Sequence, residues 1–277
     1  MSDTDAHRDA VEAWRLGRYA ALRRDVGWLT IAGLEWLKRG VNIVGTDPAG
    51  DVVLPNGPAR AGTITVDVGT VIASGSFTAG DGPVGDLVLV TDQQGEATML
   101  ELGLLRLCVI ERGDRLAVRT WDLASRARRD FEEIDHWPVD GAWRFEGQFE
   151  PTPGRSISVP DVLGTDDEQE SPGEVRFEVA GVTHRLQALK GSDSGDLWLV
   201  FADDTNGHET YGGGRFLYTS VPDADGKVII DFNRAYNPPC VFSPYATCPL
   251  PWPSNRLPLR IEAGEQLFHL GPAKPAS

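Results

Sequence analysis

Arg106-Leu107-Cys108-Val109-Ile110-Glu111-Arg112-Gly113-Asp114-Arg115-Leu116-Ala117-Val118-Arg119-Thr120-Trp121 reads as two strands joined by a tight turn. Polar and apolar residues alternate on either side of Arg112-Gly113-Asp114-Arg115, whose Gly-Asp centre suits a hairpin. The same signature recurs upstream at Gly62–Val71 and Gly85–Val90 and downstream at Trp143–Phe149. It returns at Val175–Val179, Val182–Ala188 and Asp196–Phe201. Between these groups, Thr165–Gly173 is strongly acidic and reads as a solvated surface loop. The 31 Gly and 19 Pro punctuate short apolar runs, which favours strands and turns over long helices.

Helical periodicity is confined to the start of the chain. Val11, Trp14, Leu16, Tyr19 and Leu22 recur at near-helical spacing within Asp5–Arg24, a stretch without proline. Gly27–Leu37 then carries two tryptophans and is apolar enough to be expected as a buried plug, part helix and part strand. The expected fold is therefore mainly β, an antiparallel β-sandwich or barrel-like core with an N-terminal helical segment. We expect a single domain over residues 1–277, with a helical cap at 5–39 and a β core at 40–270.

Composition narrows the function classes. With 277 residues, 41% of them hydrophobic, the chain can bury a sizeable core. Its net charge of −15 argues against nucleic acid and against anionic membrane surfaces, both of which call for a basic face. No run approaches the ~20 apolar residues that span a bilayer. Met1–Arg8 has no apolar core of the secretory type. Three cysteines, Cys108, Cys240 and Cys248, are too few for a disulfide framework in a chain of this size. These features lead us to expect a cytoplasmic protein.

Two stretches resist a reading as core and turns alone. Phe201–Phe216 contains Asp203-Asp204-Thr205-Asn206-Gly207, which reads as a hairpin turn, followed by Tyr211-Gly212-Gly213-Gly214-Arg215. Consecutive glycines at a strand mark a bulge or the close approach of another backbone or a ligand. This is not a phosphate loop, since the terminal Lys-Ser/Thr and the following helix are missing. The second stretch, Asp231–Arg256, holds six prolines, three Asn, two Arg, two Tyr and two Cys after the apolar run Val228–Phe232. Proline fixes φ, so this loop is stiff, and stiff polar loops at strand ends serve equally as small-molecule sites and as structural corners.

Three sequence patterns resemble those of a bacterial and fungal family, the domain-of-unknown-function family sixteen-eighty-four. They are Gly-Trp-Leu-x-x-x-Gly-Leu-x-Trp-Leu at Gly27–Leu37, Thr-Tyr-Gly-x-Gly-Arg-Phe-Leu at Thr210–Leu217, and Asp-Phe-Asn-Arg-Ala-Tyr-Asn-Pro-Pro-Cys at Asp231–Cys240, the last followed by Cys-Pro-Leu-Pro and Asn-Arg-Leu-Pro. The resemblance extends over the chain after about residue 10 and is most specific at Asp231–Arg256. It implies a site location and no established activity.

Within that location the chemistry can be assigned by residue type. Arg215 and Arg234 carry planar guanidinium forks suited to an anionic ligand. Asn233, Asn237 and Asn255 can orient the ligand's other polar atoms, and Tyr211 and Tyr236 can line its wall. Asp231 at a strand end is a candidate general base, and Cys240 a candidate nucleophile if neighbouring cations favour its thiolate. The eight-residue separation of Cys240 and Cys248 does not match a zinc knuckle, so no metal is expected. Three readings remain open: a hydrolase-type enzyme, a non-catalytic small-ligand-binding β-domain, and a structural or interaction protein in which the motif is an internal corner. These residues specify neither cofactor nor oligomeric state.

Overall fold

The computed structural model describes residues 3–80, 82–164 and 166–269. An N-terminal helix, α1 (Asp3–Leu22), precedes a chain built almost entirely of antiparallel strands. Val11 and Leu22 on α1 are buried, whereas Leu16 is 69% exposed. Leu16 follows Val11 by five residues, about 140° further round a helix, and so points away from the packed face. No helix among the described residues is long and apolar enough to cross a membrane.

The described residues fall into two compact units. One holds residues 21–131 and 243–246; the other holds α1 up to Ala20 and residues 132–242 and 247–269.

In the first unit, a 3₁₀ turn at Trp28–Thr30 leads into β1 (Ile31–Trp36). The strands β2 (Gly40–Gly45), β3 (Val52–Val53), β4 (Gly62–Asp67), β5 (Thr70–Gly75), β6 (Thr78–Ala79), β7 (Gly82–Pro83) and β8 (Asp86–Val88) follow. Next come β9 (Leu100–Leu102), β10 (Leu105–Arg112), β11 (Arg115–Asp122) and a short helix, α2 (Arg126–Asp130). One sheet has the order β1-β11-β10-β9-β6-β7, the other β3-β2-β4-β5-β8. Both contribute to one core, with Ile64 and Val71 from the second sheet and Leu100, Leu107 and Val118 from the first.

The hairpin expected at Arg112–Arg115 is present. Arg112 pairs with Arg115, and Gly113 takes φ +58°, the left-handed conformation that a two-residue hairpin asks of its leading glycine. Gly62–Val71, which reads as one run, is instead two paired strands turning at Val68-Gly69. The tryptophans of Gly27–Leu37 are half-buried rather than sealed in a plug. Leu29, Thr30 and Gly33 are buried there, and the Arg115 guanidinium lies 3.7 Å over the Trp36 ring.

The second unit contains β12 (Arg144–Pro160), β13 (Asp166–Val179), β14 (Val182–Lys190), β15 (Leu197–Phe201), β16 (Arg215–Tyr218) and β17 (Lys227–Asp231). Their order is β16-β15-β14-β13-β12-β17, a half-barrel. Near its two edge strands, the Ser220 amide donates to the Ile229 carbonyl at 3.1 Å. Val175, Phe177, Leu186, Leu199, Phe201 and Ile230 fill its core. The acidic stretch expected as a loop is the first half of β13, where Asp166–Ser171 pairs with Arg155–Pro160. Its carboxylates stay hydrated because Asp166, Glu168 and Glu170 are exposed, so the backbone ladder forms without charge burial.

Asn255 shows how the half-barrel is tied to the proline-rich segment. It is fully buried, accepts from the Gln187 amide at 2.8 Å and donates to the Gln187 and Val200 carbonyls at 2.8 and 2.9 Å. Its side-chain amide thus stands in for a peptide of a neighbouring strand. Asn255→Ala should destabilise the protein by about 2–3 kcal/mol, because three buried backbone groups lose their partner. Asn255→Asp should cost at least as much, since a carboxylate donates to neither carbonyl; urea denaturation of both variants measures this.

Candidate functional site

Asp231 ends β17, opposite Arg144 of β12, and caps the 3₁₀ turn Phe232–Arg234. One carboxylate oxygen, Oδ1, accepts from the backbone amide and the side-chain amide of Asn233 at 3.2 and 2.8 Å. Asn233 is itself immobilised, accepting from the Asp140 amide at 2.9 Å and donating to the Asp140 carbonyl at 2.8 Å. The second oxygen, Oδ2, lies 2.8 Å from His7 Nε2 and 3.7 Å from Arg234 Nε. The side chain of His7 is 14% exposed and that of Arg234 38% exposed. A histidine oriented by a fixed carboxylate, beside a guanidinium that reaches solvent, is suited to acid–base work on an anion.

His7 is the member of this cluster that the sequence alone did not single out. It lies 224 residues from Asp231 and outside every motif. The signal that could have found it is positional. His7, Val11, Trp14 and Arg18 follow each other at steps of four, three and four, one helical face, and an apolar-only count of that face skips its two polar members. All four face the interior of this unit. Val11 is buried, the Trp14 ring centre is 6.3 Å from that of Tyr236, and Arg18 lies 4.7 Å over the Tyr236 ring.

Arg18 also donates to Glu265 Oε1 at 3.1 Å and to the Asn237 carbonyl at 3.0 Å. The other oxygen of Glu265, a residue also missed in the sequence, accepts from the Asn237 amide at 2.7 Å. Asn237 is fully buried and donates through Nδ2 to the Gln266 carbonyl at 2.7 Å. Among the described residues its Oδ1 has no partner. Tyr236 is almost wholly buried, stacked on Tyr218, and burial holds its phenol well above the ordinary range.

Arg215 is the largest fully buried side chain. Its Nη2 donates to Asp203 Oδ2 at 3.1 Å and to the Ile261 carbonyl at 3.0 Å, and its Nη1 to the carbonyls of Ala263 and Glu265. All four terminal N–H groups are thus committed inside the protein, which leaves no fork for an external anion. The glycines before it answer to close approach within the chain. Gly214 has φ +89° and abuts the Pro251 ring, while the Tyr211 ring lies over Gly213.

That ring placement brings the Tyr211 hydroxyl to Cys240. The Cys240 amide donates to Cys248 Sγ at 3.1 Å, and Cys108, Cys240 and Cys248 form no disulfide. A hydrogen bond from Cys248, reinforced by one from Tyr211, holds the Cys240 thiol below its ordinary range against the effect of burial. Burial and the adjoining Cys240 raise the Tyr211 phenol. Cys108 behaves oppositely, pushed up to about 11 by burial. The residues expected to form one site are therefore distributed over distinct settings. Asp231, Asn233 and Arg234 meet around His7; Tyr236 and Asn237 adjoin Arg18 and Glu265; Tyr211 and Cys240 meet Cys248; Arg215 and Asn255 are sealed clips.

The second unit is thus an antiparallel half-barrel with a His7–Asp231 contact at the end of β17 and a Cys240–Cys248 contact in the proline-rich segment that follows it. Over residues 129–266 the chain belongs to the family described as "Protein of unknown function (DUF1684)". That span includes the Thr210–Leu217 and Asp231–Arg256 patterns and leaves Gly27–Leu37 outside. The chain is also similar, at 28% identity, to an uncharacterized protein from Haloarcula marismortui whose structure was solved in solution by NMR. The similarity covers 50% of this chain and 79% of that one, with a TM-score of 0.42. No curated protein matches the chain.

Two outcomes follow from this geometry. Arg215→Ala leaves the Asp203 carboxylate and the 261–265 carbonyls buried without their donor, and should cost about 3–5 kcal/mol in chemical denaturation. His136 is pushed down to about 4 by burial and then by Arg15. The unfolded chain protonates this histidine below about 6.5, so unfolding takes up a proton between those two values. Stability should fall by roughly 2–3 kcal/mol as pH drops from 6.5 to 4 and level off below, a dependence that His136→Asn should flatten.

Proposed function

We propose that this protein is a hydrolase-type enzyme for a small anionic substrate, with His7 and Asp231 as its acid–base pair and Arg234 as its anion clamp. The observation that carries this reading is the 2.8 Å contact between His7 Nε2 and an Asp231 carboxylate whose other oxygen is fixed by Asn233. With Nε2–H directed at Asp231, Nδ1 of the neutral ring is the basic nitrogen, and no described residue is bonded to it. In this scheme Nδ1 takes a proton from an attacking water, Asp231 stabilises the imidazolium, and the proton passes to the leaving group. Arg234 holds the negative charge of the substrate through its terminal nitrogens. Asn233 is a positioning residue.

A second reading, the non-catalytic internal corner, is favoured by the complete internal bonding of Asn255 and by the sealed guanidinium of Arg215. One experiment separates the two. Purified full-length protein is assayed with p-nitrophenyl phosphate and p-nitrophenyl succinate as anionic ester probes. Turnover of either should drop about 100-fold or more in His7→Gln and in Asp231→Asn. Arg234→Ala should act chiefly by raising KM. Turnover that survives His7→Gln unchanged, or no turnover of either probe by the wild type, favours the corner.

A further inference from the structure

Cys240 and Cys248 flank a tight loop whose ends are fixed by proline. Pro238 and Pro239 precede Cys240, which sits in the 3₁₀ turn Pro239–Val241, and Pro249 follows Cys248. The hydrogen bond from the Cys240 amide to Cys248 Sγ, 3.1 Å long, places that sulfur about 4.6 Å or less from the Cys240 Cα. A bridging sulfur occupies a similar position, so a disulfide between the two requires little backbone movement. Their environments differ. Cys248 is 2% exposed, whereas Cys240 is only half-buried and is hydrogen-bonded by the Tyr211 hydroxyl and by the Cys248 thiol. The more accessible sulfur is thus the one whose negative charge is better supported, and the sealed sulfur is its neighbour. None of these residues belongs to the His7–Asp231 pair.

We propose that Cys240 and Cys248 form a reversible dithiol–disulfide site oxidised by hydroperoxides, in which Cys240 attacks and Cys248 resolves. In the first step the Cys240 sulfur bonds to the terminal peroxide oxygen, the O–O bond breaks, and the departing alkoxide leaves as an alcohol with the Cys240 proton. In the second step Cys248 attacks the resulting sulfenic acid, an S–S bond forms, and the hydroxyl leaves as water with the Cys248 proton. Two thiols are oxidised by two electrons in total and one hydroperoxide is reduced to an alcohol and water. Tyr211, kept protonated by its surroundings, donates a hydrogen bond to the Cys240 thiolate and is a positioning residue for the first step. Excess thiol reverses the bridge.

Trypsin places both cysteines in one peptide, Ala235–Arg256, so the outcome is read directly by mass. Full-length wild-type protein is treated with one equivalent of hydrogen peroxide or of cumene hydroperoxide, alkylated and digested. The expected result is a peptide lighter by two hydrogens and unalkylated at both cysteines, restored by dithiothreitol, with Cys108 still a thiol. In Cys248→Ser the reaction should halt at a Cys240 sulfenic acid captured by dimedone. In Tyr211→Phe the wild-type reaction should slow several-fold with the same product. Oxidation of wild-type Cys240 to sulfinic acid without the two-hydrogen loss overturns the proposal. So does a bridge between two chains, or a Cys240–Cys248 thiol pair untouched by tenfold excess peroxide. The wild-type mass measurement decides without depending on the folding of any variant.

Discussion

The guanidinium of Arg215 organises the second unit. Removing it from water carries a desolvation cost of several kcal/mol, and burial pulls its pKa below the ordinary value. That cost is offset only because Asp203 and three carbonyls of residues 261–265 converge on its four terminal N–H groups. Asp203 in turn accepts from the Ile261 amide at 2.8 Å and from the Thr205 hydroxyl at 2.8 Å. The segment fixed in this way, Ile261–Glu265, presents the buried Glu265 to Arg18 and to Asn237. A single cation thus sets the path of a strandless segment, and that segment sets the polar anchors for α1 and for the loop after β17. The ion pair is better understood as a device of specificity than as a source of net stability, since its desolvation and its attraction nearly cancel.

The sequence disclosed those parts of the fold that depend on local periodicity and turn chemistry. Arg112-Gly113-Asp114-Arg115 declares a hairpin because glycine is required where φ is positive, and α1 declares itself through spacing and the absence of proline. What local patterns could not show is where long-range pairing overrides propensity. Asp166–Ser171 has the composition of a loop, yet its backbone is a strand because the facing strand extends the ladder and solvent bathes the carboxylates. Likewise Leu16 looks like a member of the helix stripe and lies outside it. For the candidate site, the sequence singled out Asp231, Cys240 and their neighbourhood, but not His7 or Glu265, which lie outside that segment in sequence. Motif reading favours residues that are close in sequence, whereas a charge pair needs only closeness in space.

The same distinction explains why the arginines separate. Arg215 and Arg234 are indistinguishable by type. Arg215 begins a strand whose inward face is sealed by Phe201 and Trp137, with its guanidinium over both rings. Arg234 ends a 3₁₀ turn at the rim, where its fork stays within reach of solvent. Burial, and not residue chemistry, decides which guanidinium is sealed inside the protein and which stays open to solvent.

A physical reason can also be given for the coexistence of many prolines and asparagines in Asp231–Arg256. Proline has no backbone N–H, so a segment with six of them cannot complete a strand ladder beside the half-barrel. Backbone groups facing that segment would then be left without partners at a cost of about 1–3 kcal/mol each. An asparagine side chain is a peptide group on a short stem, able to donate and accept at once. Asn233 engages both the amide and the carbonyl of Asp140, Asn255 does the same with Gln187, and in the other unit Asn42 does so with Lys38. The prolines give stiffness and the asparagines restore the hydrogen bonds that the prolines remove. In such a frame Asp231 is held by the amides of Asn233 and faces His7, while Cys240, in a turn entered through two prolines, faces Tyr211 and Cys248.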